Sequence, residues 1–146
     1  MLTDIDIERI AAGVERLSLP KSAWTHAAHF AAALWLLART EERRMPALIR
    51  AYNEATGVPN TDESGYHETI TRASLRAAAH VLGAAEGASL ALVLERLLAG
   101  DLGRSDWLLR YWSRERLFST PARRSWLAPD LAPLPYAPLH WEFEPV

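Results

Sequence analysis

The segment that Ser22 opens and Arg39 closes most constrains the fold, because it is helix-length and apolar almost all the way round. Only Thr25, His26 and His29 are clearly polar within it. A helix that is apolar on nearly every side is stable only when other parts of the chain cover it. The segment therefore predicts a buried central helix with other helices packed around it.

Four further segments carry apolar residues at the three-to-four residue spacing of a helix, and several begin with a capping residue. Their predicted extents are 3–17, 46–57, 66–85 and 89–100, and residues 105–118 predict one or two short helices. No pair of strands with a hairpin turn is recognisable. The 146 residues have the size of one domain. The prediction is an all-α, single-domain bundle of about five main helices.

Proline sets the last part of the chain apart. Six of the nine prolines lie beyond residue 120, and helix interiors reject proline. Residues 1–118 are therefore predicted as the helical domain and residues 119–146 as an extended tail. Because large side chains such as Trp126 and Trp141 would gain from burial, we expect the tail to pack on the same domain. Pairing of the tail with a second subunit, in a homodimer, is the alternative that the sequence leaves open.

Composition narrows the function classes. The net charge is −2 and the arginines are scattered, which is not the basic patch of a nucleic-acid-binding protein. No stretch approaches the ~18 apolar residues of a membrane span, and the acidic N-terminus lacks the order of a secretory signal. We therefore expect a cytoplasmic protein that binds neither nucleic acid nor membrane. Because cysteine is absent, any metal ion must be bound by imidazole and oxygen.

His26 and His29 are the first candidate functional residues. Three positions apart on a helix, their imidazoles can reach one point. The same stripe continues through Phe30, Ala33 and Leu37, so the pair faces the core. An unpaired buried polar group costs about 1–3 kcal/mol. These imidazoles therefore need a metal ion or hydrogen-bond partners.

His67 and Glu68 form a second cluster, at the boundary between a polar loop and the fourth helix. If helical, His67 shares a face with Ile70 and also points inward. Three histidines and a carboxylate from two core helices are a suitable ligand set for a divalent metal, with zinc the first choice. The prediction is that His26, His29 and His67 surround one point, with Glu68 as a fourth ligand or a partner of one.

The same residues allow other hypotheses. A histidine on an apolar face is often only a member of a core hydrogen-bond network, and Glu68 can pair with Arg72 four residues later. The protein could thus be a structural or interaction protein. It could also be a metal-free binding module for a small molecule. The residues predicted to line the pocket are Trp24, Tyr52, Asn53 and Tyr66. A bound metal ion could serve an enzyme, by holding an activated water or a substrate oxygen, or could have a structural or storage role. The sequence does not choose between these roles and indicates no particular reaction.

Two motifs support treating the histidines as one group. They are W-T-H-A-A-H at residues 24–29 and G-Y-H-E-T-I-T-R at residues 65–72. Together they resemble the signature of a family of small bacterial helical proteins of unassigned function. Residues 112–119 and 129–131 extend the resemblance over most of the chain. It implies a bacterial protein in which the three histidines and the glutamate matter together, and it implies no reaction.

Overall fold

Every regular element in residues 1–143, the part of the chain described by a computed structural model, is helical. The long helices are α1 (Asp4–Glu15), α2 (His26–Ala38), α3 (Met45–Ala55), α4 (Glu68–Ala84) and α5 (Leu90–Ala99), and the short ones are α6 (Arg114–Leu117) and α7 (Thr120–Arg124). Single 3-10 turns lie at Lys21–Ala23, Glu42–Arg44, Asp101–Gly103, Trp107–Arg110 and His140–Phe143. The all-α prediction is confirmed. No helix in this part of the chain is long and apolar enough to cross a membrane.

The central helix is α2, as predicted. It packs against α1, α4 and α5, and its buried side chains include Phe30, Leu34 and Leu36. Alanines fill much of the remaining helix surface and are also buried. Since alanine adds little bulk, neighbouring helices can approach α2 closely. This packing brings α4 beside α2, so side chains from both helices can line one site.

The start of α2 differs from the prediction that the helix opens at Ser22. Ser22 lies in the separate turn Lys21–Ala23, and α2 begins only at His26. Thr25 sets this start, because its side-chain oxygen accepts a hydrogen bond from the Ala28 N–H at 3.2 Å. Such a cap satisfies one of the N–H groups that the first helical turn leaves unpaired. As a result, His26 occupies the first position of α2.

The predicted extended tail, residues 119–146, begins with a short helix, α7. Pro121 stands in the first turn of α7, where a missing N–H breaks no helical bond. Farther on, the Trp112 indole N–H donates to the Leu127 carbonyl at 2.8 Å. Its ring meets Trp126 edge to face, with centroids 5.7 Å apart. These contacts fasten the segment to the helical body.

A carboxylate fastens the end of the described chain to α4. The Glu142 side chain is 2% exposed and lies 2.6 Å from an Arg72 nitrogen and 2.9 Å from an Arg76 nitrogen. Burial alone would raise the pKa of Glu142, but hydrogen bonds from Arg76, the Leu139 N–H and Arg72 outweigh burial and hold the pKa below its usual value. The last residues of the predicted tail, 144–146, lie outside the described part.

Candidate functional site

A cavity of about 380 Å³ opens beside the first turns of α2, a size typical of small-molecule sites. Its walls come from α2, from α4 and from residues 105–118, with Ile49 contributed by α3. Most of the lining side chains are apolar, including Phe30, Trp107 and Leu117. Both His26 and His29 line the cavity, so the structure brings these two predicted residues together in one site.

His26 uses one ring nitrogen and leaves the other without a partner. Its Nε2 lies 2.7 Å from the Leu102 carbonyl oxygen. Because a carbonyl can only accept, Nε2 carries the hydrogen, and in the neutral form of the ring Nδ1 presents a lone pair. Nothing else in residues 1–143 bonds to Nδ1. The edge-to-face contact with Phe30, at 5.2 Å between centroids, further orients the ring.

His29 has the opposite tautomer, and it too leaves one ring nitrogen without a partner. Its Nδ1 donates to the Thr25 carbonyl at 2.8 Å, so Nε2 holds the lone pair. Trp24 covers one face of the ring, with centroids 3.8 Å apart. Burial lowers the pKa of His29 below its ordinary value; the bond to Thr25 opposes this shift and the neighbouring His26 adds to it. His29 is therefore neutral near pH 7.

The two remaining nitrogens, Nδ1 of His26 and Nε2 of His29, can be reached by a ligand. Neither belongs to the fully buried side-chain atoms that lack a partner, although neither has a partner within the described chain. Both residues line a mostly apolar cavity, and each keeps one ring nitrogen that is neither fully buried nor bonded within the described chain. Such a cavity suits a ligand that brings a donor.

His67 lies outside the cavity. It precedes α4 as its N-cap: Nδ1 accepts from the Ile70 N–H at 3.1 Å. Nε2 must then carry the hydrogen, which it donates to the Leu117 carbonyl at 2.6 Å. Both ring nitrogens are thus in use, and the residue is 6% exposed. Since Leu117 lines the cavity, His67 positions part of the cavity wall.

Glu68 is also held by neighbouring side chains. It accepts a short hydrogen bond from the Tyr66 hydroxyl, and its other oxygen lies 3.8 Å from an Arg72 nitrogen. The predicted pairing of Glu68 with Arg72 is thereby confirmed. The Arg50 guanidinium stacks over the Tyr66 ring at 4.4 Å. Glu68 therefore belongs to a polar cluster at the start of α4 that does not line the cavity.

The structure does not bring the four predicted metal ligands together around one point. Among residues 1–143, no three histidine, aspartate or glutamate side chains form a group that could hold a metal ion. The physical reason is the position of His67: as a cap rather than a helical residue, it commits both nitrogens to the main chain. The site of His26, His29, His67 and Glu68 stays a prediction that would require His67 to give up a hydrogen bond.

The side chains predicted to line a pocket contact other groups instead. The Tyr52 hydroxyl donates to the Leu19 carbonyl at 2.8 Å, and the Asn53 amide donates to Asn60 at 3.0 Å. Trp24 contacts His29, and Tyr66 contacts Glu68. None of the four predicted pocket residues lines the cavity.

Residues 105–118 contribute lining residues that sequence reasoning missed. Trp107, Arg114 and Phe118 come from short turns and a four-residue helix, which leave no periodic pattern to read. Ser74, also missed, follows Ile70 by one helical turn, and both face the cavity. That i, i+4 relation was the one signal available in the sequence.

Comparison of the chain with models of protein families, with curated proteins and with solved structures finds no match. The family resemblance of the two motifs therefore stays a prediction.

Proposed function

We propose that the protein binds a small, mainly apolar molecule that carries a hydrogen-bond donor, and that it does so without a metal ion. The observation that carries this proposal is the pair of accessible acceptors, His26 Nδ1 and His29 Nε2, in one cavity. At about 30 Å³ per water, the cavity has room for roughly a dozen water-sized groups. The ligand is thus comparable in size to a substituted two-ring aromatic molecule.

Two physical effects support this function. Apolar lining favours an apolar body by about 25 cal/mol for each Å² that the ligand buries. A bound molecule without a donor would exclude water from the imidazole lone pairs and leave them unpaired, at a cost of about 1–3 kcal/mol. The first effect provides affinity and the second provides specificity.

Indole and benzofuran test the proposal because they have similar shape and differ in the N–H donor. In isothermal titration calorimetry, we expect indole to bind about tenfold more tightly than benzofuran, the ratio that one lost hydrogen bond gives. Replacing both acceptors, in a His26→Phe, His29→Phe variant, should abolish the preference. His80→Phe is the matched control, because His80 packs on Tyr136 and does not line the cavity. Equal affinity of the two probes, or binding of neither, would refute the proposal.

A metal ion, with zinc first, is the second candidate, and one observation favours it. His26 and His29 each donate one N–H to a main-chain carbonyl and keep the other nitrogen available, as metal-binding histidines commonly do. Metal analysis of protein purified without a nickel column tests this function. One equivalent of zinc that is lost in the double variant and kept in His80→Phe would favour it. Metal-free protein that binds indole would exclude it as the resting function.

A further inference from the structure

We infer that the ligand also carries a carboxylate, which Arg114 binds at the cavity wall. This inference rests on the proposed function and specifies the class of molecule: a small apolar acid with a hydrogen-bond donor. The observation behind it is the charge of the side chains that line the cavity, which is independent of the histidine nitrogens.

The charged side chains that line the cavity are those of Arg114 and Asp106. Asp106 already has an ion-pair partner, since its carboxylate lies 3.3 Å from the Arg104 guanidinium. Arg114 is exposed and makes no hydrogen bond, ion pair or ring contact with any described residue. Among residues 1–143, Arg114 is therefore the charged lining residue without an ion-pair partner, and its charge is positive.

The neighbouring arginines of the same segment do have partners, unlike Arg114. Arg110 forms an ion pair with Asp101 at 2.9 Å. Arg116 donates to the Ala128 carbonyl at 2.6 Å. Arg114 lies between these two residues in the sequence and differs from both in lacking a partner within the described chain. Its guanidinium is thus available to a molecule in the cavity.

A carboxylate is the anion that fits this wall. A guanidinium presents two parallel N–H groups that match the two oxygens of a carboxylate, and a single carboxylate leaves most of a small ligand apolar. The lone pairs of His26 and His29 repel an anion and attract a donor. The ligand is therefore oriented with its carboxylate toward Arg114 on α6 and its donor toward α2.

The test compares indole-3-acetate with indole-3-acetone, which has the same shape and no charge. In calorimetry at low salt, we expect the acetate to bind about fivefold more tightly, as for one partly exposed ion pair. The preference should shrink to about unity in Arg114→Gln and should weaken as salt is added. Arg110→Gln removes the same charge from the same segment outside the cavity lining, and it should keep the preference.

Each outcome separates this inference from the proposed function. Equal binding of acetate and acetone, or a preference that survives in Arg114→Gln, overturns the carboxylate inference and leaves the donor-binding function intact. Binding of indole without binding of either acid or ketone also overturns the inference. Failure of all three indole probes to bind overturns both.

Discussion

His67 and the pair formed by His26 and His29 all face the interior, and each ring donates an N–H to a main-chain carbonyl. They differ in the second nitrogen. In His67 it accepts the Ile70 N–H, whereas in the pair it has no partner among the residues described. An inward histidine is thus a candidate for ligand binding when one nitrogen is left over, and a structural residue when neither is.

The largest effect that follows from this contrast is on stability. His67→Ala removes the cap of α4 and leaves the Leu117 carbonyl without its partner. We expect the free energy of unfolding to fall by about 2–4 kcal/mol, the sum of a lost cap and a lost buried hydrogen bond. Urea denaturation measures it. His67→Asn keeps a capping oxygen and should recover about 1 kcal/mol of the loss. A His67→Ala protein as stable as wild type would contradict the structural role.

Glu142 is a second structural residue of the same kind as His67, because both of its carboxylate oxygens accept hydrogen bonds within the protein. Glu142→Gln keeps the shape but removes the carboxylate charge beside Arg76 and leaves Arg72 with only its longer ion pair to Glu68, at a position where the side chain of residue 142 is 2% exposed. We expect a loss of about 2–3 kcal/mol in thermal or urea unfolding. Exposed Glu115 is the matched control, and Glu115→Gln should change stability by less than about 0.5 kcal/mol. Equal effects of the two substitutions would show that the chain end is not fastened to α4.

The pH dependence of stability should report the burial of His67. Burial lowers the pKa of His67 below the ordinary value of 6.5, with a further contribution from Arg123. The unfolded chain therefore binds protons first as the pH falls. The stability that neutral His67 contributes is complete above about pH 6.5 and is lost as the pH falls through the folded pKa. Unfolding free energies at about pH 7.5 and about pH 5.5 should differ less in His67→Asn than in wild type. An unchanged difference would contradict the shift.

The smallest effect on stability should come from the cavity pair. His29→Phe keeps the ring contact with Trp24, and the Thr25 carbonyl still accepts the main-chain N–H of residue 29. We expect a change in unfolding free energy below about 1 kcal/mol, together with loss of the preference for indole over benzofuran. Stability is measured in urea and binding by calorimetry. A destabilisation as large as that of His67→Ala would place His29 with the structural residues.

The sequence predicts the helical frame better than the site, for reasons visible in particular residues. The apolar run around Leu34 indicates a central helix because burial follows directly from its composition. His67 was misinterpreted as helical because caps are usually Ser, Thr, Asp or Asn, so a histidine cap gives no pattern. Arg114 and Trp107 leave no periodic pattern because they lie in a four-residue helix and a single 3-10 turn, whose positions depend on tertiary contacts. The sequence does predict that His26 and His29 lie on one face of α2, because this depends only on helical spacing.

Long-range proton–nitrogen NMR spectra of the histidine rings test the central claim most directly. Before addition of a ligand, His26 and His67 should show the Nε2–H tautomer and His29 the Nδ1–H tautomer. On addition of indole, Nδ1 of His26 or Nε2 of His29 should shift as it accepts the single N–H of indole, while both nitrogens of His67 stay unchanged. Shifts at His67 comparable to those of the pair, or no shift at any of the three rings, would contradict the account.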